Sequence, residues 1–369
     1  MSSLVALQRR FGALRRRWQI LIIAVITLAC AEVYIRCMVF CPNRDSNPEL
    51  PVGKYYSLTV THGHQPRPGY IEPEEGASIG PWNWLNGQRS SRPLPLVKRP
   101  LYKVALLGCS WTYGIGALDQ ETYAWQLNNK YPNILFDNYA VSDYGAHLNR
   151  LRMRDTVAQG QRYDLYIYAF IYDHLFRDMR AKQYRMEGSD TVYVFPGYEL
   201  GQPNKQYCLH KSVWIGERQL SLMRFLHKLW CNFYVWLSER DRQHPFTELV
   251  EQRQAFRENV LAMRDLARSS NGTFAVLALG PDSRMVYEAT LADSGIPMEN
   301  ALEDIPPGMI CRNNGNKDHP NAMGHRLIAK AVTALLKRQN LPAEVMVTRS
   351  APLAASSVQR SQKKTESSI

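Results

Sequence analysis

The sequence predicts an α/β domain, a parallel sheet covered by helices on both faces. Two observations lead there. Short apolar runs recur through the middle of the chain at 102–108 (YKVALLG), 134–140 (ILFDNYA), 164–171 (DLYIYAFI) and 273–280 (TFAVLALG). Continuous apolar runs of this length, without polar alternation, suit strands buried on both faces. Between and after them lie helical patterns over Glu121–Lys130, Ala146–Gln159, Phe246–Arg268 and Ala322–Lys337. Strands alternating with helices are the signature of a parallel sheet with both faces covered. No internal repeat is present.

The elements before this domain read differently. Residues 1–17 form a basic segment with five Arg and no acid. From Trp18 the chain runs WQILIIAVITLACAEVYI to Arg36, interrupted only by Gln19, Thr27 and Glu32. Eighteen residues at about 1.5 Å each approach the roughly 30 Å of a bilayer core, and the span lengthens through residue 40 if Arg36 snorkels. Arg before the span and few cations after it predict a single-pass signal anchor over 18–40 in the inner (cytoplasmic) membrane, with the N-terminus in the cytoplasm and the domain periplasmic or extracellular. No A-x-A cleavage site follows the run, which argues against a cleaved signal peptide. Residues 41–100, rich in Pro, Gly, Asn and aromatics, read as an irregular lead-in, with room for short strands, that packs on the domain. The domain itself spans 101–340. An aromatic, basic insertion at about 180–245, containing LSLMRFLHKLWCNFYVWL, reads as helical, its apolar stripe suiting either a helix pair packed in the core or an exposed surface for membrane or an envelope protein partner. Residues 341–369 read as a disordered tail.

The net charge of +12 on 369 residues invites a nucleic-acid reading until its distribution is seen. Residues 1–17 carry +5 and residues 337–369 carry +4, which leaves a nearly balanced body. The charge therefore reports membrane orientation and a solvated tail, and no nucleic-acid partner is expected. No C-x-x-C occurs among the seven Cys, and the spacing leaves any disulfide open, Cys208–Cys311 included. His62-Gly-His64 lacks a third ligand, G-x-G-x-x-G is absent and no Walker Lys follows the glycines after Gly108. No metal and no cofactor is therefore expected.

Open α/β sheets place ligands at the carboxyl ends of their strands, so the residues there carry the chemistry. After the first run comes Gly108-Cys109-Ser110-Trp111-Thr112-Tyr113-Gly114-Ile115-Gly116. A Ser on such a strand-to-helix turn has an accessible hydroxyl and nearby backbone N–H groups, the two needs of an acyl-transfer nucleophile. Near the other end, Asn316-Lys317-Asp318-His319-Pro320-Asn321 enters the last helix. Pro320 restricts the backbone after His319 and Asn321 suits an N-cap, which holds His319 as a general base. His325 reads only as a capping or solvent-facing residue. A Ser early and a His late in the chain can meet as a dyad.

These blocks resemble the SGNH/GDSL hydrolase superfamily, particularly its membrane-anchored bacterial members. The resemblance covers about residues 101–338 and implies a three-layer α/β/α, flavodoxin-like fold. It places the nucleophile on Ser110 and the base on His319. In the second block, Asn138-Tyr139-Ala140-Val141-Ser142-Asp143-Tyr144-Gly145, the family's oxyanion Gly falls on Asp143. In the third, the family's Asn falls on Tyr172, within Phe170-Ile171-Tyr172-Asp173 and followed by His174. The implied oxyanion set is thus Ser110, Asp143, Gly145, Tyr172, Asp173 and His174. The family's triad Asp falls on Asn316, with Asp318 as the alternative carboxylate. The implied activity is a serine esterase (deacetylase) or acyltransferase acting on O-acyl groups of envelope carbohydrate. The abundant aromatics Trp82, Trp84, Trp111 and Tyr113 suit sugar faces. The same fold also serves lipases and thioesterases. The substitutions at 143, 172 and 316 further suit a catalytically degenerate binding or scaffold protein of a polysaccharide or secretion system.

Overall fold

The computed structural model describes residues 56–59, 61–71, 82–85, 87–91, 100–115, 117–179, 182–185, 192–195, 198–202, 205–206, 210–212, 245–280, 282–303, 310–311 and 319–349, with Val25 and Thr27 in a helix. Most of the expected membrane anchor, the apolar stretch of the insertion, the tail beyond Arg349, Gly116, Asn316, Asp318 and Cys208 lie outside the described residues. Among the described residues no helix is long and apolar enough to cross a membrane. The chain divides into two units, one of residues 52–183, 194–210 and 248–369, the other of 1–51, 184–193 and 211–247. The first holds the α/β sheet.

In chain order the strands before the first helix are β1 (Tyr56–Thr59), β2 (Gly63–Pro66), β3 (Gly69–Ile71), β4 (Trp82–Leu85), β5 (Gln88–Arg89) and β6 (Tyr102–Leu107). Then follow α1 (Ser110–Tyr113), α2 (Tyr123–Lys130), β7 (Ile134–Asn138), α3 (Ala146–Ala158), β8 (Leu165–Phe170) and α4 (His174–Arg177). Three short strands, β9 (Lys182–Arg185), β10 (Val192–Phe195) and β11 (His210–Ser212), lead to the long α5 (Pro245–Ser269). The chain continues through β12 (Thr273–Leu279), α6 (Ser283–Thr290), β13 (Met298–Ala301), β14 (Ile310–Cys311), β15 (His319–Pro320) and α7 (Ala322–Arg338).

The main sheet has eight strands in the order β13-β12-β8-β6-β7-β5-β4-β3. The first five run parallel. The last three are added antiparallel from the lead-in, β5 joining β7 through the single pair Arg89 and Asn138. Period-two alternation builds the layers. Val104 and Leu106 of β6 pack with Leu127 of α2 and Val332 and Leu335 of α7. The intervening Ala105 and Leu107 pack with Met153 of α3 and Phe256 and Val260 of α5. All six residues of β8 are buried, which is why its sequence reads as an unbroken apolar run.

Several boundaries differ from the sequence reading. The lead-in is a structural part of the sheet, and β1 and β2 form a separate hairpin. Strand β13 and helix α6 escaped notice because MENA is a half-exposed edge segment without an apolar pattern. The insertion, read as helical, shows strands β9, β10 and β11 in its described parts. Order continues past residue 340: Val345 is buried in the core, Glu344 O accepts from Asn133 Nδ2 at 2.7 Å, and Arg349 N donates to Lys130 O. The expectation of disorder from 341 therefore fails for 341–349, where a turn docks an apolar side chain.

Leu335 is fully buried between α7 and the sheet. Leu335→Ala is expected to lower unfolding stability by about 2–5 kcal/mol in chemical denaturation, the range for a buried leucine truncation. A loss below about 1 kcal/mol would contradict a packed α7 interface.

Candidate active site

Strand β6 delivers Ser110 through a tight turn. Gly108 stands where any Cβ would meet Thr112 Oγ1 at 2.5 Å and Ala169 O at 2.8 Å, so only glycine fits. Its N–H donates to Asn149 Oδ1 at 2.9 Å. Cys109 is extended and buried, and Ser110 begins the single helical turn α1. That turn ends at Gly114, in the left-handed conformation at φ 89°, whose N–H returns to Ser110 O.

His319 arrives from the far end of the chain. It lies on β15, opposite Cys311 of β14. Asn321 caps α7 by accepting from Met323 N at 3.0 Å and Gly324 N at 3.2 Å, as its sequence position suggested. Held between the strand pair and the capped helix, the imidazole places Nε2 2.8 Å from Ser110 Oγ. This is hydrogen-bond distance for a hydroxyl and a base 209 residues apart.

The loop after Ser110 is clamped by a residue the sequence reading missed. Arg89, fully buried on β5, donates Nε to Asp119 Oδ1 at 2.8 Å and Nη1 to Tyr113 O at 2.5 Å and Gly114 O at 2.7 Å. Its Nη2 donates to Ala117 O at 2.7 Å. A guanidinium out of water is tolerable only when matched in this way. Nothing in the sequence around Arg89 signals the partnership, since all four acceptors lie 24 to 30 residues away.

The second block is held beside the first. Val141 N donates to Gly108 O at 3.2 Å, and Asn138 Nδ2 donates to Thr112 O at 2.9 Å. Asp143 has φ 65°, the left-handed region that favours glycine. Asp is one of the few side chains that tolerate this backbone conformation. The β1–β2 hairpin braces the loop. His64 Nε2 lies 3.0 Å from Ser142 O, and the Tyr144 hydroxyl donates to the carbonyls of His64 and His62. The His62-Gly-His64 pair is thus a buried brace. Among the described residues no group of three His, Cys, Asp or Glu is placed to hold a metal ion.

The other expected site residues have their own surroundings. Gly145 is the N-cap of α3, and a Cβ there would meet Asp178 Oδ1 at 2.4 Å, so it makes room for that carboxylate. His174 is fully buried with Nδ1 2.6 Å from the Tyr168 hydroxyl. The short α4 turns it inward beneath the sheet end. Tyr172 is exposed and packs edge-on against Phe176. Asp173 is also exposed and pairs with Arg177 at 3.5 Å. Trp84, Trp111 and Tyr113 are buried, so their reading as a sugar platform is corrected. Trp82 lies on β4, and its side chain is outside what the structure describes.

His325 is fully buried and caps a different helix from its own. Its Nδ1 accepts from Tyr123 N, the first N–H of α2, at 3.3 Å, and its ring stacks on Tyr123. Burial lowers its pKa to about 3, with Arg89 and His319 adding in the same direction. A protonated ring would lose the lone pair that caps α2.

No protein-family model and no curated protein sequence matches the chain. Solved structures that resemble it share little sequence. One is described as a lipolytic protein of the G-D-S-L family from Desulfitobacterium hafniense, 11% identical over 63% of this chain and 99% of that one, with a TM-score of 0.37. Another, from Veillonella parvula and of the same lipolytic family, is 12% identical over 64% and 98%, with a TM-score of 0.36. A carbohydrate acetylesterase from Sinorhizobium meliloti is 10% identical over 64% and 99%, with a TM-score of 0.35. Superpositions this loose say nothing of chemistry, which follows from the chain's own residues.

The buried imidazole gives an acid-side prediction. An unfolded chain protonates His325 near the ordinary value of 6.5, whereas the folded protein resists protonation down to about 3. Stability is therefore full above pH 6.5 and falls as the pH drops through that window, because the unfolded state binds the extra proton. His62, also lowered by burial, adds in the same direction. His325→Gln is expected to flatten the fall of stability between pH 6.5 and 4 by up to about 1.4 kcal/mol per pH unit. An unchanged slope in denaturation series would contradict a neutral buried His325.

Proposed function

We propose that the chain is a serine esterase or acyltransferase working through an acyl-enzyme on Ser110. The observation that carries this reading is the 2.8 Å approach of His319 Nε2 to Ser110 Oγ. Ser110 Oγ attacks the acyl carbonyl carbon and its proton passes to His319 Nε2. The tetrahedral oxyanion is met by backbone N–H groups of Ser110 and Asp143, with Tyr172 at the rim of the same strand ends. Collapse breaks the ester bond, and the departing alkoxide takes the proton from His319. Water then attacks the acyl-enzyme and gives a proton to His319. The tetrahedral intermediate releases the carboxylic acid, which ionises in solvent, and the proton on His319 returns to Ser110. If a sugar hydroxyl attacks instead of water, the same residues transfer the acyl group. Asn316 or Asp318 would orient His319.

The resemblance in the sequence favours O-acyl groups of envelope carbohydrate as substrate, ahead of lipid esters or thioesters. The Arg-flanked apolar segment at 18–40 supports a domain tethered outside the cytoplasmic membrane. A non-catalytic binding role on the same fold draws support from the substituted motif positions Asp143, Tyr172 and Asn316.

Hydrolysis of p-nitrophenyl acetate by the full-length protein decides between these readings. Ser110→Ala and His319→Ala are each expected to lower kcat/KM by about 100-fold or more. Between Asn316→Ala and Asp318→Ala, the larger loss identifies the orienting partner. Wild-type turnover no faster than that of Ser110→Ala would overturn the enzymatic reading, and full activity in His319→Ala would overturn the dyad.

A further inference from the structure

Asp143 brings an anomaly into the site. Its backbone is left-handed, and it sets a carboxylate beside a backbone N–H that the proposed chemistry needs for a developing negative charge. Two negative charges at close range would raise the barrier unless one is offset. The offset is present. Arg177, at the end of α4, places Nε 3.8 Å from Asp143 Oδ1. Its Nη1 donates to Tyr144 O at 3.4 Å, so the guanidinium holds the residue after Asp143 as well. Nη2 reaches Asp173 Oδ2 at 3.5 Å, tying the third block to the second. Burial alone would loosen its proton, but Cys109, Asp143 and Asp173 together hold it more tightly than usual. One cation thus links the blocks that carry Asp143 and Tyr172.

We propose that Arg177 is a positioning residue for the Ser110 reaction, acting through Asp143 by neutralising its carboxylate and fixing the loop that presents its N–H. The role rests on the acyl-transfer reading above and adds to it the compensation for an acidic residue at a glycine-favouring position. A glycine there would bring no charge and need no partner. With Asp143 in place, the cation becomes part of the oxyanion environment.

A double-mutant cycle on the full-length protein, with p-nitrophenyl acetate as probe, separates this from a general packing role. Arg177→Gln is expected to lower kcat about three- to tenfold with KM little changed, the modest size following from the partial exposure of Asp143. Asp143→Asn keeps a side chain that tolerates the left-handed backbone and removes the charge. In that background Arg177→Gln is expected to lower kcat less than twofold, and Arg177→Lys is expected to recover part of the loss in the parent. Thermal melts of each variant identify any that fail to fold. The inference is overturned if Arg177→Gln leaves kcat unchanged, or if its effect is as large with Asp143→Asn as without it. Ser110-dependent turnover in the wild type alongside either result leaves the acyl-transfer reading standing. Its absence overturns that reading and this inference together.

Discussion

A single buried guanidinium sets the conditions for the rest of the site. Arg89 is out of water, and a cation there is stable only while every donor is met. Its acceptors are Asp119 and three carbonyls in the segment that follows Ser110. The nucleophile's turn therefore cannot shift without exposing a charge to unsatisfied surroundings. Arg89 also belongs to β5, whose contact with β7 is the residue pair Arg89–Asn138, and Asn138 in turn holds Thr112 O. The lead-in, the first helix turn and the second block form one hydrogen-bonded unit. The neutrality of His325 is partly a consequence, since a second cation beside Arg89 is disfavoured.

The lead-in thereby changes meaning. Its β1–β2 hairpin holds the Ser142–Tyr144 loop through His64 and Tyr144, while β5 holds the Ser110 loop. Two loops that project from the neighbouring strands β6 and β7 are both braced by the lead-in. His319 approaches independently, on β15 ahead of a capped helix, and meets Ser110 at hydrogen-bond distance. Preorganisation of this kind lets a dyad form without a conformational step.

What the sequence made legible follows from how local each signal is. Strands β6, β7, β8 and β12 stood out because burial on both faces forces continuous apolar runs. Helices α3 and α5 were legible to within a residue or so. Ser110 and His319 could be named because the turn and cap residues beside them are local requirements. Arg89, Asn149 and His64 could not, since their roles exist only once distant segments meet. The rim was less legible for a related reason. Whether Tyr172 or His174 faces the site depends on the turn that starts α4, and that turn sends His174 under the sheet to Tyr168. Burial of Trp84, Trp111 and Tyr113 was likewise hidden, because an aromatic in a Gly-rich stretch has the same local signature whether packed or exposed.

The central claim is that Ser110 is a nucleophile activated by His319. Covalent trapping tests it most directly: the full-length protein is treated with a fluorophosphonate and the modified residue is located by peptide mass spectrometry. The account predicts a single adduct on Ser110 that forms much more slowly in His319→Ala. No adduct at saturating probe, or an adduct on another residue with Ser110 unmodified, would contradict it.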